Sequence, residues 1–461
     1  MFVAIGSSGS KIIGLLMMPF YTRWLSPTDF GTADILFVYV TLLINVVTCN
    51  ISEAVFVFPH SAEKEEKKVY FTSGLAFHVL CLLLTMIAFC GVRLLFENCL
   101  NDIFVKYIWY IAFLLIVNSV QIYVQQFTRA LHRMDIYSLT GLVSSTVIVV
   151  SAFLLIPSYG VEGYVVSMAV GHFFAFVYAF LASKAYSYIS YKSFNMDRLK
   201  EMLCYSIPLI PNVMVWWLIS SLNRPIMEKY VGLAGIGFFA VANKFPSIVN
   251  MVFGFFQQAW IVTVLDEFKK PGFGKYYNQM LNVIVLIQIT LIFFLIYASP
   301  LLIRIFAAPK FYMAWQYIPI LSLAVFFTNI SAYTGTVFSA TRQSKYYFYS
   351  SAIGAVIAVV LNLILIPMWG IWGACLTVLL SHLSAAISRI LFSSKVVKID
   401  RIGVYLAMLF LFAAAYIFSL LQGNLLITLI IGATCYALIL WLNRSVLWVA
   451  FSIILKKRNN G

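Results

Sequence analysis

Long apolar stretches follow one another along almost the whole chain, and only short groups of polar residues separate them. A helix needs about 20 apolar residues to cross the hydrocarbon core of a membrane, and these stretches predict about 14 transmembrane helices. The chain is therefore predicted to be an all-α integral membrane protein. The predicted helices lie at residues 2–22, 31–58, 69–92, 104–126, 138–156, 163–183, 203–222, 235–262, 276–298, 317–339, 348–366, 371–392, 403–421 and 425–442.

Composition supports this prediction and argues against several classes of function. Hydrophobic residues make up 62% of the chain and charged residues 10%, whereas soluble domains carry roughly 25% charged residues. The seven cysteines are scattered and have no metal-ligand spacing. The sequence contains no G-x-x-x-x-G-K-[ST], H-E-x-x-H or G-x-S-x-G motif. We therefore expect neither an enzyme nor a bound cofactor or metal ion.

The net charge of +15 has a topological explanation. If the N-terminus lies inside the cell, most of the 31 Lys and Arg residues fall in connections on the cytoplasmic side or in the C-terminal tail. Membrane proteins follow this bias, so both termini are predicted to be cytoplasmic and no nucleic-acid partner is expected. The apolar start has no basic region before it, and we interpret it as a retained helix rather than a cleaved signal.

Two nine-residue stretches indicate a duplication. LIPSYGVEG, from Leu155 to Gly163, and LIPMWGIWG, from Leu365 to Gly373, share a proline and two glycines at one offset, which His172 and His382 also keep. Proline ends a preceding helix and glycine permits a tight reversal. Each stretch is therefore predicted to join two helices, the fifth to the sixth and the eleventh to the twelfth.

A weaker similarity relates RWLSPTDFGTADI, from Arg23, to KYVGLAGIGFFAV, from Lys229. Six helices per copy give both copies the same orientation in the membrane, as in a parallel repeat. The predicted architecture therefore has two pseudo-symmetric six-helix bundles plus two C-terminal helices, and facing bundles indicate a transporter with alternating access. The predicted domains are an N-lobe (1–184), a cytoplasmic linker (185–202), a C-lobe (203–392) and a C-terminal part with two helices and a basic tail (393–461).

Three stretches resemble the bacterial polysaccharide transporters, in particular the O-antigen flippases. SGSKIIGLLMMPFYTRWLSPTDFG, from Ser8, is similar to their first helix and loop. The segment from Tyr205 to Trp260, which contains YSIPLIPNVMVWW and FGFFQQAW, is similar to their seventh and eighth helices. LNLILIPMWGIWGACLTVLLSH, from Leu361, is similar to the eleventh and twelfth. The resemblance covers about residues 5–395 and implies the fold of the multidrug/oligosaccharidyl-lipid/polysaccharide exporter superfamily.

The resemblance also implies a function. It implies that an undecaprenyl-pyrophosphate-linked oligosaccharide, such as an O-antigen repeat unit, moves from the cytoplasmic to the periplasmic leaflet of the bacterial inner membrane. The partners implied are this lipid-linked oligosaccharide, membrane lipids, and a polysaccharide polymerase and chain-length regulator, with the protein acting as a monomer. The chain departs from the family pattern at Asn223, where an acidic residue is common, and at Ile261, where an arginine is common.

Polar side chains recur at helical spacing on the second, seventh and eighth predicted helices, which indicates a wet surface between the bundles. The alternatives are hydrogen bonds between helices, an ion pair between Glu53 and a lysine, interfacial anchoring for Arg224, and ordinary cytoplasmic charge for Arg129. The candidate substrate-binding residues are Lys11, Asn45, Glu53, Arg129, Asn212, Trp216, Asn223, Arg224, Lys244, Gln257 and Gln258.

Four residues are candidates for coupling transport to H⁺, Na⁺ or the membrane potential. They are Asp34 and Glu53, the acidic residues within the second span, and His172 and His382, which alternatively serve packing. A coupling site would also suit the alternative functions of the same fold, a cation-coupled multidrug exporter or a lipid II-type flippase. A membrane polymerase is disfavoured because the predicted outer loops are short.

Overall fold

The computed structural model describes residues 9–10, 12–95, 102–421, 425–444 and 446, and this part of the chain folds into helices and short connections without strands. Ten of its helices are long and apolar enough to cross a membrane. This confirms the predicted all-α membrane class. Lys11 lies outside the described residues.

Two compact units divide the chain, one ending at Ala240 and one starting at Val241. Residues 203–240, which the sequence assigned to the C-lobe, thus belong to the first unit by their contacts, and the predicted lobe limits stay a prediction. The first unit contains α1 (Met18–Trp24), α2 (Pro27–Val47), α3 (Ile51–His60), α4 (Lys64–Leu95), α5 (Asp102–Lys106), α6 (Ile108–Ala130), α7 (Met134–Ala182), α8 (Met196–Ser206), α9 (Ile210–Ser220), α10 (Asn223–Tyr230) and most of α11 (Leu233–Lys244).

The second unit begins with the end of α11, and Pro246 separates α11 from the next helix because proline has no N–H to donate. The predicted span 235–262 is therefore built from two helices. The helices of this unit are α12 (Pro246–Glu267), α13 (Phe273–Phe306), α14 (Ile318–Ala340), α15 (Ser344–Ser393), α16 (Ile402–Leu420) and α17 (Leu425–Leu442).

Helix α7 folds back on itself and forms the first hairpin, as the LIPSYGVEG stretch predicts. Its 49 residues would extend over about 74 Å if straight. At Gly160 the backbone has φ 55° and ψ −128°, a conformation that favours glycine. A Cβ atom on Gly163 would collide with the carbonyl oxygen of Leu155, and the Ser151 hydroxyl donates to the carbonyl of Ser167 over 3.3 Å.

Helix α15 forms the second hairpin in the same way. Gly370 has φ 56° and ψ −126°, nearly the values of its counterpart in the first hairpin. A Cβ atom on Gly373 would collide with the carbonyl oxygen of Leu365. The two stretches that matched in sequence therefore make the same turn, and each hairpin contains two of the predicted spans.

The predicted span 31–58 is broken near its middle. Cys49 and Asn50 have φ of 49° and 52°, a left-handed conformation that costs free energy for any side chain but is more accessible to asparagine. The Asn50 N–H donates to the carbonyl of Asn45 over 3.0 Å. The break separates α2 and α3, which pack in two different hydrophobic clusters, α2 through Leu36 and α3 through Ala54.

The predicted linker 185–202 is held by contacts with other parts of the first unit. Asn195 caps α8 because its side-chain oxygen accepts hydrogen bonds from the N–H groups of Asp197 and Arg198. Leu199 and Met202 are buried in the cluster that also contains α3. One face of α8 is thus packed, while its first residues, Met196 and Asp197, are exposed.

Candidate functional site

Helices α2 and α11 cross so closely that only glycine fits at the contact. A Cβ atom on Gly31 would collide with the carbonyl oxygen of Leu233 and approach the backbone nitrogen of Gly237. A Cβ atom on Gly237 would collide with the carbonyl oxygen of Pro27. Gly31 aligns with Gly237, and Pro27 with Leu233, in the weaker of the two sequence similarities. The crossing is therefore reciprocal, like an isologous contact between two copies.

An ion pair between the buried Arg224 and the partly exposed Asp34 lies beside this crossing. The Nε of Arg224 donates to Oδ2 of Asp34 over 3.2 Å, and its Nη1 donates to Oδ1 of Asn223 over 3.0 Å. The guanidinium also lies 4.8 Å from the ring centre of Phe239 and is 7% exposed. Arg224 is thus held by an acid, an amide and an aromatic ring.

A second polar contact joins α2 to α10. The hydroxyl of Tyr39 donates to Oε2 of Glu228 over 3.0 Å. Because Glu228 follows Arg224 by four residues, both side chains lie on one face of α10. We call the set of Gly31, Asp34, Tyr39, Arg224, Glu228 and Gly237 the crossing junction.

A second group, the Glu53 network, joins α3 to α6 and the start of the first hairpin. The Nε2 of Gln126 donates to Oε1 of Glu53 over 3.1 Å, and Nη1 of Arg129 donates to Oε1 of Gln126 over 2.9 Å. The Arg129 guanidinium lies 4.1 Å from the ring centre of Phe56 and 5.3 Å from that of Tyr137. These five residues place a cation between two aromatic rings.

Arg129 has donors left for a ligand. A guanidinium carries five N–H donors, and within the described part of the chain Arg129 makes one side-chain hydrogen bond, to Gln126. Its side chain is partly exposed. A planar guanidinium with open donors suits bidentate contact with phosphate oxygens, and the flanking rings fix its orientation.

The two groups lie toward opposite ends of the second predicted span. Asp34 and Glu53 are separated along the chain by about 28 Å at the helical rise per residue, and the break at Cys49 and Asn50 lies between them. Both groups belong to the first unit. The structure thus brings together Asp34, Asn223 and Arg224 in one place, and Glu53 and Arg129 in another.

The other predicted residues of the first unit lie apart from these two groups. Asn45 donates to the carbonyl of Thr41 over 3.1 Å and stabilises its own helix. Asn212 is exposed on α9, Trp216 is partly exposed one turn later, and His172 is partly buried in the first hairpin.

The predicted residues of the second unit are of two kinds. Lys244 and Gln258 are exposed. Gln257 is partly buried and donates to the carbonyl of Ala332 over 3.2 Å, and His382 is 8% exposed. Lys244 and Gln258 are therefore accessible to a ligand, whereas Gln257 and His382 pack between helices.

The structure also adds residues that the sequence reasoning missed. Gln126 connects Glu53 to Arg129, and it could have been found because it precedes Arg129 by three residues on the same helix face. Tyr39 and Glu228 complete the crossing junction. Glu228 could have been found in the same way, since it follows the candidate Arg224 by four residues. No comparable spacing from a candidate residue indicates Tyr39.

Arg389 in the second hairpin lies within the predicted span 371–392 and is not among the candidate residues. It is 1% exposed, and it donates to the hydroxyls of Ser350 and Ser351, each over 2.9 Å, and to the carbonyl of Ser331 over 3.0 Å. Its guanidinium lies 4.2 Å from the ring centre of Tyr347. Arg389 therefore ties α14 to both arms of the second hairpin.

Comparison with known families identifies the chain. The model of the family described as "Polysaccharide biosynthesis protein" matches residues 1–262, more than half of the sequence. The chain belongs to this family. No curated protein sequence matches it significantly.

Solved structures show the fold. A lipid II flippase, MurJ, in an inward closed conformation is similar with a TM-score of 0.69 and 17% identity over 96% of this chain and 99% of the other. An inward-facing multidrug resistance transporter of the MATE family has a TM-score of 0.64 and 13% identity over 84% and 94%. A transporter of the MOP superfamily from Pyrococcus furiosus has a TM-score of 0.55 and 14% identity over 86% and 93%.

These similarities confirm the predicted family and fold class. These solved proteins are transporters and flippases rather than enzymes, in agreement with the prediction. The protein is thus a multi-pass membrane protein with the fold of the MurJ and MATE transporters. The number of 14 spans stays a prediction, because parts of the first and last ones lie outside the described residues.

Proposed function

We propose that this protein is a flippase that moves an undecaprenyl-pyrophosphate-linked oligosaccharide, such as an O-antigen repeat unit, from the cytoplasmic to the periplasmic leaflet. The polysaccharide biosynthesis family supports a role in making surface polysaccharide. The fold of this protein is similar to that of a lipid II flippase. A cargo of this class presents a pyrophosphate, sugars and a long apolar chain.

The observation that carries the proposal is the position of Arg129. Its guanidinium is fixed between Phe56 and Tyr137 and is connected to Glu53 through Gln126. A pyrophosphate offers acceptor oxygens that match the open donors of a guanidinium. Glu53, which is connected to Arg129 through Gln126, adds a negative charge to the site and so weakens anion binding, as release of the cargo requires. Arg129 is therefore the proposed first contact of the pyrophosphate.

The crossing junction supplies the other half of the proposed mechanism. Alternating access requires a barrier on one side of the cargo while the other side is open, and a glycine crossing locked by an ion pair is a compact barrier. Release of the cargo would separate Asp34 from Arg224 and Tyr39 from Glu228. Because both contacts join side chains, the barrier can break without unfolding a helix.

A cation-coupled multidrug exporter is a second candidate. Such an exporter needs an acidic residue that can exchange its cation within the membrane. Asp34 is engaged by Arg224, so Glu53 is the acid that favours this candidate. A lipid II-type flippase is a third form of the proposal, with the same fold and a different head group. Resistance to amphipathic drugs, or accumulation of lipid II on deletion, would identify these alternatives.

Deletion of the gene tests the proposal. We expect loss of surface polysaccharide and accumulation of lipid-linked oligosaccharide in the inner leaflet, both reversed by the wild-type gene. R129Q should restore less than a tenth of the polysaccharide at equal protein level. R133Q is the matched control, because Arg133 lies four residues further on, pairs with Asp135 over 3.1 Å and is exposed, and it should restore fully. Normal polysaccharide in the deletion strain would refute the proposal.

Location, energy source and partners belong to the same proposal. The protein is proposed to lie in the bacterial inner membrane with both termini in the cytoplasm, and to work as a monomer beside a polymerase and a chain-length regulator. An H⁺ or Na⁺ gradient or the membrane potential would drive transport, with Asp34, Glu53, His172 and His382 as candidate coupling residues. Reconstituted transport measured with each gradient in turn tests the energy source.

A further inference from the structure

The connection between the first hairpin and α8, residues 184–196, exposes five large apolar side chains although it lies outside the membrane-spanning helices. Tyr191 is 84% exposed, Met196 is 54% exposed, and Tyr186, Ile189 and Phe194 are exposed to between 45% and 49%. Exposed apolar groups in one short stretch indicate a surface that is covered in the functional protein. We call residues 184–196 the linker segment.

Hydrogen bonds fix the linker segment at the end of a transmembrane helix. The hydroxyl of Thr72 donates to the carbonyl of Tyr188 over 2.9 Å and accepts from the N–H of Ser190 over 3.2 Å. The hydroxyl of Ser73 accepts from the N–H of Asn195 over 2.9 Å. Thr72 and Ser73 lie just inside the apolar part of α4, so the segment lies at the level where the bilayer surface meets the helices.

The unpaired charges around the linker segment are positive, which indicates a negatively charged partner. The acidic groups nearby already have cationic partners: Glu66 and Glu201 pair with Arg198 over 3.2 and 3.1 Å. Lys184 and Lys192 are exposed, and neither pairs with a carboxylate among the described residues. Aromatic side chains and unpaired lysines together are the composition that binds a negatively charged membrane surface.

We propose that the linker segment binds anionic phospholipids, with Tyr186, Ile189 and Tyr191 inserted among the head groups and acyl chains, and Lys184 and Lys192 on the phosphates. The partner is the lipid surface itself rather than the transported cargo, because the segment lies outside the Glu53 network and the crossing junction. Fixed by Thr72 and Ser73, it anchors the connection between the predicted N-lobe and the helices that follow.

Lipid binding to the purified full-length protein in detergent tests this proposal. Native mass spectrometry and thermal melting would be recorded with phosphatidylglycerol and, separately, with phosphatidylcholine. We expect phosphatidylglycerol to be retained and to raise the melting temperature more than phosphatidylcholine does. The double variant K184Q/K192Q should bind phosphatidylglycerol about 30-fold more weakly, since each basic residue near an anionic surface contributes about fivefold.

The matched control is K395Q/K398Q, which removes two exposed lysines from another connection and should leave this affinity unchanged. A second variant, Y191S, keeps the charge and should also weaken binding, while its high exposure makes a folding defect unexpected. Gel filtration confirms that each variant is folded. Equal binding of both phospholipids, or equal loss in both lysine pairs, would overturn the proposal, whatever the outcome for the cargo.

Discussion

The two hairpins have the same turn but use their arginines differently. Their turn glycines, Gly160 and Gly370, agree within two degrees in φ and ψ. Tyr137 and Tyr347 occupy matching positions at the same sequence offset, and each has a guanidinium over its ring. The duplicated scaffold therefore preserves an aromatic platform for a cation in both units.

The cation comes from a different helix in each unit. In the first, Arg129 reaches Tyr137 from α6, remains partly exposed and is connected to Glu53. In the second, Arg389 comes from the hairpin itself and is 1% exposed, with its donors on serine oxygens. The same platform thus supports an accessible cation in one unit and an internal tie in the other. A duplicated position predicts geometry better than it predicts chemistry.

Substitution of the two arginines should separate these roles most strongly. R389A leaves the oxygens of Ser331, Ser350 and Ser351 without their charged donor, and each such hydrogen bond contributes about 1.5 to 3 kcal/mol. We expect a loss of at least about 3 kcal/mol, seen as a much lower melting temperature and poor yield. R129A should lose about 1 kcal/mol and keep its yield.

Thermal melting of the purified variants in one detergent checks this difference. R389K is the informative control, because lysine keeps the charge but cannot reach three acceptors with a planar group, so it should be intermediate. Equal stability of R129A and R389A would mean that the two arginines are equivalent, and the contrast between the hairpins would be wrong.

Substitutions in the two hairpin turns should lower stability by similar amounts, unlike substitutions of the two arginines. G163A and G373A each place a Cβ atom against the carbonyl oxygen of the opposite arm, and overpacking of this kind costs about 1 to 3 kcal/mol. Both variants should therefore melt lower by similar amounts. The controls are G91A and G403A, where a Cβ atom meets nothing within 4 Å and the stability should hold or rise. A large effect in one hairpin alone would contradict their equivalence.

Sequence reasoning succeeded where the local pattern carries the information. Proline and glycine at matching positions predicted both hairpin turns, because the turn depends on backbone freedom at single residues. The membrane class followed from hydrophobic length alone. Glu53 was singled out because charge within an apolar stretch is costly, and Arg129 because it follows the end of the fourth predicted span on the cytoplasmic side.

The remaining features depend on contacts between distant segments. The break at Cys49 and Asn50 contains neither proline nor glycine and has apolar residues on both sides, so the hydropathy pattern passes over it. Asp34 and Arg224 were both singled out, but their pairing joins helices far apart in sequence. Gln126 was passed over because the polar faces identified in the sequence lie on the second, seventh and eighth predicted helices, whereas Gln126 ends the fourth, although its two hydrogen bonds connect Glu53 and Arg129.

The smallest expected effect concerns the tyrosines beneath the two arginines. Y137L and Y347L each remove a cation–π contact of about 1 kcal/mol. In the first unit, Tyr137 acts as a positioning residue for Arg129, so Y137L should lower transport per folded molecule severalfold with little change in melting temperature. In the second unit, Y347L should lower the melting temperature and leave transport per folded molecule unchanged.

The control is Y137F, which keeps the ring and should recover transport. Transport assayed in proteoliposomes beside thermal melting gives both quantities, and a loss of transport in Y347L as large as in Y137L would show that the platform has one role in both units.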